Sequence, residues 1–137
     1  MAARSFIDTN VLIYAEASDA PEKQRGALSI LKQLYEEANG VLSTQVLQEY
    51  CNVALKKLRL PFQHVRDQLD WYKQFEVVQV TPIIISAGLD LHQTCSIAFY
   101  DAIILASAQA SGCVVLLSED MNAGEVIAGV RIVNPFA

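Results

Sequence analysis

Short apolar runs alternate along the chain with longer stretches in which apolar residues recur every three or four positions, the spacing of one helical face. "RSFID" is an apolar strand that turns directly into a helix, "TNVLIYA". Pro21 sits where a second helix opens, and Ala27, Leu28, Ile30, Leu31, Leu34 and Tyr35 carry it on until "NG" stops it. After the strand "VLS", Ser43 is placed to cap a helix through "TQVLQEYCNVALKKLRL", which Pro61 closes before another helix, "FQHVRDQLDWYKQF". "EVVQVTP" is a third strand, "IIISAGLDLHQ" a helix opening just after Pro82, and "AFYDAIILASAQASG" a helix ended by Gly112. "CVVLLS" and "VRIVN" supply the last two strands.

Strands alternating with helices predict a three-layer α/β/α fold around a central parallel sheet of about five short strands. The length suits one compact domain over residues 1–137. In open parallel sheets ligands gather beyond the carboxyl ends of the strands, where the strand order reverses. Asp8 follows the first strand and Asp120 follows "CVVLLS", so the topology makes them candidates for one edge of the sheet.

A hydrophobic content of 53% points to an extensive core, an oligomer interface or both, and excludes a disordered chain. The apolar segment 97–117 is about long enough to span a bilayer, but it holds Asp101, Ser107, Gln109, Ser111 and Gly112 and reads as two core elements. Cys51, Cys95 and Cys113 lack paired spacing, and no signal peptide precedes them, which implies reduced thiols in the cytoplasm. A net charge of -5 argues against nonspecific coating of nucleic acid. Lys56, Lys57, Arg59 and Arg66 nevertheless share one acid-free stretch, either a solvated helix end or a local attraction for a polyanion.

Four acids stand out by their surroundings. Asp8 is the only charge between Arg4 and Glu16, at a strand-to-helix junction where an N-cap and a ligand-presenting carboxylate are both open readings. Glu49 is the only charge between Glu37 and Lys56 and falls at the border of its helix's apolar arc. Asp101 is the only charge from Leu91 to Ser118, in a helix apolar all round, with a first-turn capping role as its structural alternative. Asp120 belongs to a turn beside Glu119. A buried carboxylate without compensation is costly, and no basic residue lies near any of the four in sequence. A divalent metal would compensate them together. Oxygen-only ligation, with His64 and His92 lone and read as border residues, points to magnesium or manganese.

"FIDTNVLIY", "LSTQVLQEY", "AFYDAIILASA" and "LLSEDMNAG" resemble the four acidic motifs of PIN domains, and the short format is similar to VapC-type toxins of bacterial toxin-antitoxin pairs. The resemblance runs through the closing "GVRIVNPF". It implies that Asp8, Glu49, Asp101 and Asp120 form the acidic quartet that holds one or two magnesium or manganese ions, with Glu49 as ligand or water-orienting base. Asn10 and Ser118 match the polar residues that orient those carboxylates. The chain departs from the pattern at Ala123, where relatives often carry a His before the glycine.

The implied activity is a metal-dependent endoribonuclease that hydrolyses RNA phosphodiester bonds through metal-activated water. Lys56, Lys57 and Arg59 would assist in substrate binding. The implied partners are RNA, a cognate antitoxin that fills the acidic groove with a basic residue, and a second copy of the chain. Two other classes stay open. In a non-catalytic module that binds protein or RNA, the acids would be caps and magnesium would not stabilise the fold. A phosphotransfer domain is disfavoured, because one type wants an Asp where Asn10 stands and the other a Lys after a late strand, where none occurs.

Overall fold

The structure, a computed structural model, describes residues 3–137; Met1 and Ala2, part of the expected single domain, lie outside the described residues. The chain runs β1 (Ser5–Ile7), α1 (Thr9–Tyr14), α2 (Pro21–Glu36), β2 (Gly40–Ser43), α3 (Thr44–Lys56), α4 (Phe62–Tyr72), β3 (Glu76–Val78), α5 (Pro82–Cys95), α6 (Phe99–Ala110), β4 (Val115–Leu117), β5 (Val126–Ile127) and β6 (Val130–Val133). Ser43 caps α3 as expected, its hydroxyl accepting from the Val46 N–H at 3.3 Å. The helix ending at Ala110 is followed by Gly112, whose φ of +74 is conformationally free only for glycine.

The sheet has six strands in the order β3-β2-β1-β4-β6-β5. The five expected strands are parallel throughout, and the sixth, β5, pairs antiparallel with β6 at one edge. β1 and β2 are buried at every position, as strands covered on both faces must be. Helices flank the sheet in a three-layer α/β/α arrangement. α6 touches β2, β4 and β6 and packs along α5, while α1, α2 and α3 group together and α3 and α2 reach β2. α6 is buried continuously from Ala102 to Ala108. It approaches α5 so closely at Gly88 that a Cβ there would lie 3.2 Å from the Ile103 Cα. Among the described residues no helix is long and apolar enough to cross a membrane.

The chain leaves β1 toward β2 and β3 on one side and later returns to place β4 on the other. The reversal opens a crevice beyond the carboxyl ends of β1 and β4. Ile7 and Leu117 are in register there, so the residues that follow them, Asp8 and Ser118, enter the crevice side by side.

Candidate active site

Asp8 leaves β1 with its backbone N–H donating to the Leu117 carbonyl at 3.0 Å. Extended dihedrals make it the N-cap of α1, yet its side chain is only partly spent on the helix. Oδ1 accepts from the neighbouring Thr9 N–H at 2.7 Å, whereas a capping oxygen usually reaches the second or third helical N–H. Oδ2 turns to the far side of the crevice and accepts from the Ser118 hydroxyl at 2.8 Å and from the Asn10 amide at 3.3 Å. Asp8 is 7% exposed. Burial pushes its pKa up to about 6, against the pull of the Ser118 and Thr9 hydrogen bonds and with a further push from the charges of Glu49 and Asp101. Among the described residues no cation pairs with it.

Glu49 projects half-buried from α3, where the Thr9 hydroxyl donates to its Oε1 at 2.8 Å. Asp101 occupies the first turn of α6. It is half-buried rather than enclosed, because the apolar helix around it opens at this end. Its pKa is raised, first by burial and then by the negative charge of Asp120. Asp120 is exposed in the turn after β4 and accepts from the Asn10 amide at 3.3 Å.

All four acids line a single open cleft of about 560 Å³. Asn10, Tyr14, Gln45 and Asn52 add polar groups to its walls, and among the described residues Lys57 is the only cation there. Lys56 and Arg59 are exposed but do not line the cleft. Ser118 is buried beneath it. Among the described residues no His or Cys lines the cleft, and no three His, Cys, Asp or Glu side chains stand, as placed, close enough together to hold a metal ion. The ionisable side chains that the four acids bring to the cleft offer oxygen donors only. This suits magnesium or manganese, hard cations commonly held by one or two carboxylates with water completing the shell.

Three features escape sequence reasoning. Thr9 touches two of the acids at once. Glu119 anchors the turn that carries Asp120: its carboxylate accepts from the Tyr14 hydroxyl at 2.6 Å and from the Lys23 ammonium at 2.7 Å, and its N–H donates to Asn10 Oδ1 at 3.1 Å. Lys23, and secondarily Tyr14, hold that carboxyl below its usual range. Finally, His64 is a border residue with a partner: its Nε2 lies 2.9 Å from both oxygens of Glu16. The Tyr50 hydroxyl also donates to Glu16, at 2.5 Å, tying the end of α1 to α3 and α4. Apart from the Thr9 N–H bond to its neighbour Asp8, these partnerships have no local sequence signal, since they join residues brought together only by the fold.

A family model described as the PIN domain matches residues 5–127. No curated protein matches the sequence. Among solved structures, a toxin-antitoxin complex from Klebsiella pneumoniae aligns with a TM-score of 0.71 and 24% identity, covering 96% of this chain and 97% of that one. A DNA-bound VapBC from Salmonella typhimurium gives 0.69 and 18%, covering 96% and 97%. VapC20 of Mycobacterium tuberculosis, described as a Sarcin-Ricin loop cleaving toxin, gives 0.67 and 18%, covering 93% and 98%. At these identities the likeness concerns the fold.

Proposed function

We propose that this chain, which belongs to the PIN-domain family, is a metal-dependent endoribonuclease and the toxin of a toxin-antitoxin pair. One observation carries the reading. Asp8 is buried with no cation paired to it among the described residues, in one cleft with Glu49, Asp101 and Asp120, and the charges of Glu49 and Asp101 act against its ionisation where a domain built only for stability would place apolar side chains.

Asp8, Asp101 and Asp120 would hold the ion, magnesium or manganese. Bound there, it supplies Lewis acidity toward phosphoryl oxygens and acidifies water. Asp8 is held by three donors and presents a fixed carboxylate edge. Among the described residues Glu49 Oε2 has no hydrogen-bond partner, which leaves it available as a ligand or to take the proton of the attacking water. Lys57 draws the phosphate backbone into an otherwise acidic cleft, and Lys56 and Arg59 extend the field outward. Attack by water leaves a 5' phosphate and a 3' hydroxyl.

The solved structures described as toxin-antitoxin and VapBC complexes support a cognate antitoxin, and a basic residue of that partner would compensate the acids of the cleft. Exposed Ile83, Leu89 and Tyr100 support a homodimer, and the free thiols fit a cytoplasmic site. Purified protein incubated with total RNA should cleave in magnesium and fall silent in chelator, and Asp8→Asn and Asp101→Asn should be silent in both. Equal cleavage by all three proteins, or cleavage indifferent to chelator, would leave the acids as structural groups of a binding module.

A further inference from the structure

The acids of the cleft are anchored unequally. Asp8 has three donors, from the Thr9 backbone, Ser118 and Asn10. Asp120 has the Asn10 amide. Glu49, the longest and most mobile of the four side chains, has only the Thr9 hydroxyl among the described residues. Thr9 is the first residue of α1, a place where a hydroxyl commonly turns back to local backbone. The N-cap here is Asp8, and the Thr9 hydroxyl instead crosses to α3, 40 residues away.

We infer that Thr9 is a positioning residue of the metal site: its N–H fixes Asp8 Oδ1 while its hydroxyl fixes Glu49 Oε1, setting the two carboxylates relative to each other and leaving Glu49 Oε2 directed to the ion or the water. The inference rests on the proposed metal-dependent activity and deepens it. Replacing the hydroxyl by a methyl, in Thr9→Val, keeps the shape and the backbone donor to Asp8 and frees Glu49 alone. Thr9→Ser restores the hydroxyl on a smaller side chain.

The test compares wild type, T9V, T9S, E49A and the T9V/E49A double variant. Manganese affinity is titrated without RNA, cleavage is assayed separately, and melting is followed in chelator. T9V should lose about 10- to 100-fold in manganese affinity or in cleavage, the usual effect of removing a group that orients a ligand, with its melting in chelator unchanged. T9S should recover most of the loss. Adding T9V to E49A should cost nothing further, because the hydroxyl acts through that carboxylate.

A T9V protein that binds manganese and cleaves like wild type overturns the inference while leaving the nuclease reading intact. So does a T9V loss that adds in full to that of E49A, or one matched by a lower melting temperature in chelator that T9S does not repair. If wild type itself neither binds manganese nor cleaves RNA, the nuclease reading falls and this inference with it.

Discussion

Asn10 Nδ2 lies 3.3 Å from Asp120 Oδ2, joining the first turn of α1 to the turn after β4 across 110 residues of sequence. The same nitrogen lies 3.2 Å from the Ser118 hydroxyl and 3.3 Å from Asp8 Oδ2. Two hydrogens cannot fully serve three acceptors, so the amide is shared between the two acids, and its oxygen receives the Glu119 N–H. Asn10→Ala should cut cleavage by about 10- to 100-fold and destabilise the fold by about 1–2 kcal/mol through the N–H left unpaired. Cleavage kinetics and urea melts check the two parts separately. A variant as active as wild type would show that Asp120 needs no such support.

Asp8 makes the fold depend on pH in a direction opposite to that of an ordinary salt-bridged acid. Its folded pKa, about 6, lies above the model-peptide value of 3.8. The folded state therefore holds the proton more tightly. That contribution is complete below about pH 4 and is lost as pH rises through about 6, after which the buried charge costs up to about 3 kcal/mol. In chelator, Asp8→Asn should melt higher than wild type at pH 8 and close to it at pH 4. A gap equal at both values would mean that Asp8 ionises freely. A metal held by Asp8, as proposed, would have to displace the same proton, so manganese affinity should weaken as pH falls below about 6.

Lys57 lines the cleft and Arg59 does not. Lys57→Ala should raise KM severalfold with little change in kcat and reduce the salt slope of RNA binding by about 1. Arg59→Ala should do less on both counts. Equal effects would mean that the whole stretch acts as a diffuse field.

Gly88 lets α5 and α6 meet backbone to side chain against Ile103. Since α6 carries Asp101, this crossing also sets where that acid stands. A methyl there must shift Ile103 or part the helices, so Gly88→Ala should cost about 1–3 kcal/mol, read from urea denaturation. An unchanged midpoint would show that the helices can separate without strain.

The expected strands and helices were legible because their apolar runs and capping residues act locally: Ser43, Pro82 and Gly112 each mark a boundary that the structure keeps, and Pro61 opens α4, whereas α3 already ends at Lys56 and not at Pro61 as expected. β5 was not. Its hairpin with β6 turns on Ala128 and Gly129, both with positive φ, of 52 and 77 degrees. Asn-Gly would have announced such a turn, but alanine rarely adopts this conformation and gives no warning. The acids could be picked out from their apolar surroundings. Of the groups that hold them, Asn10 and Ser118 were named only through the resemblance to PIN domains, and Thr9 and Glu119 not at all, because these side chains meet their partners only after β1, β4 and α3 have been brought together. The basic stretch was legible as a stretch only. Which of its cations faces the cleft depends on helical phase at the end of α3, where Lys57 alone turns inward.

The two ends of the sheet have a bearing on assembly. β3 is three residues long and β5 is two, so each rim offers few unpaired backbone groups, and the Glu76 of β3 is taken by Arg4 in an ion pair. Such rims are poor templates for a strand from another molecule. The protein is thereby protected from edge-to-edge aggregation, and any ordered self-association is left to helix faces, where Ile83 and Leu89 of α5 meet the solvent.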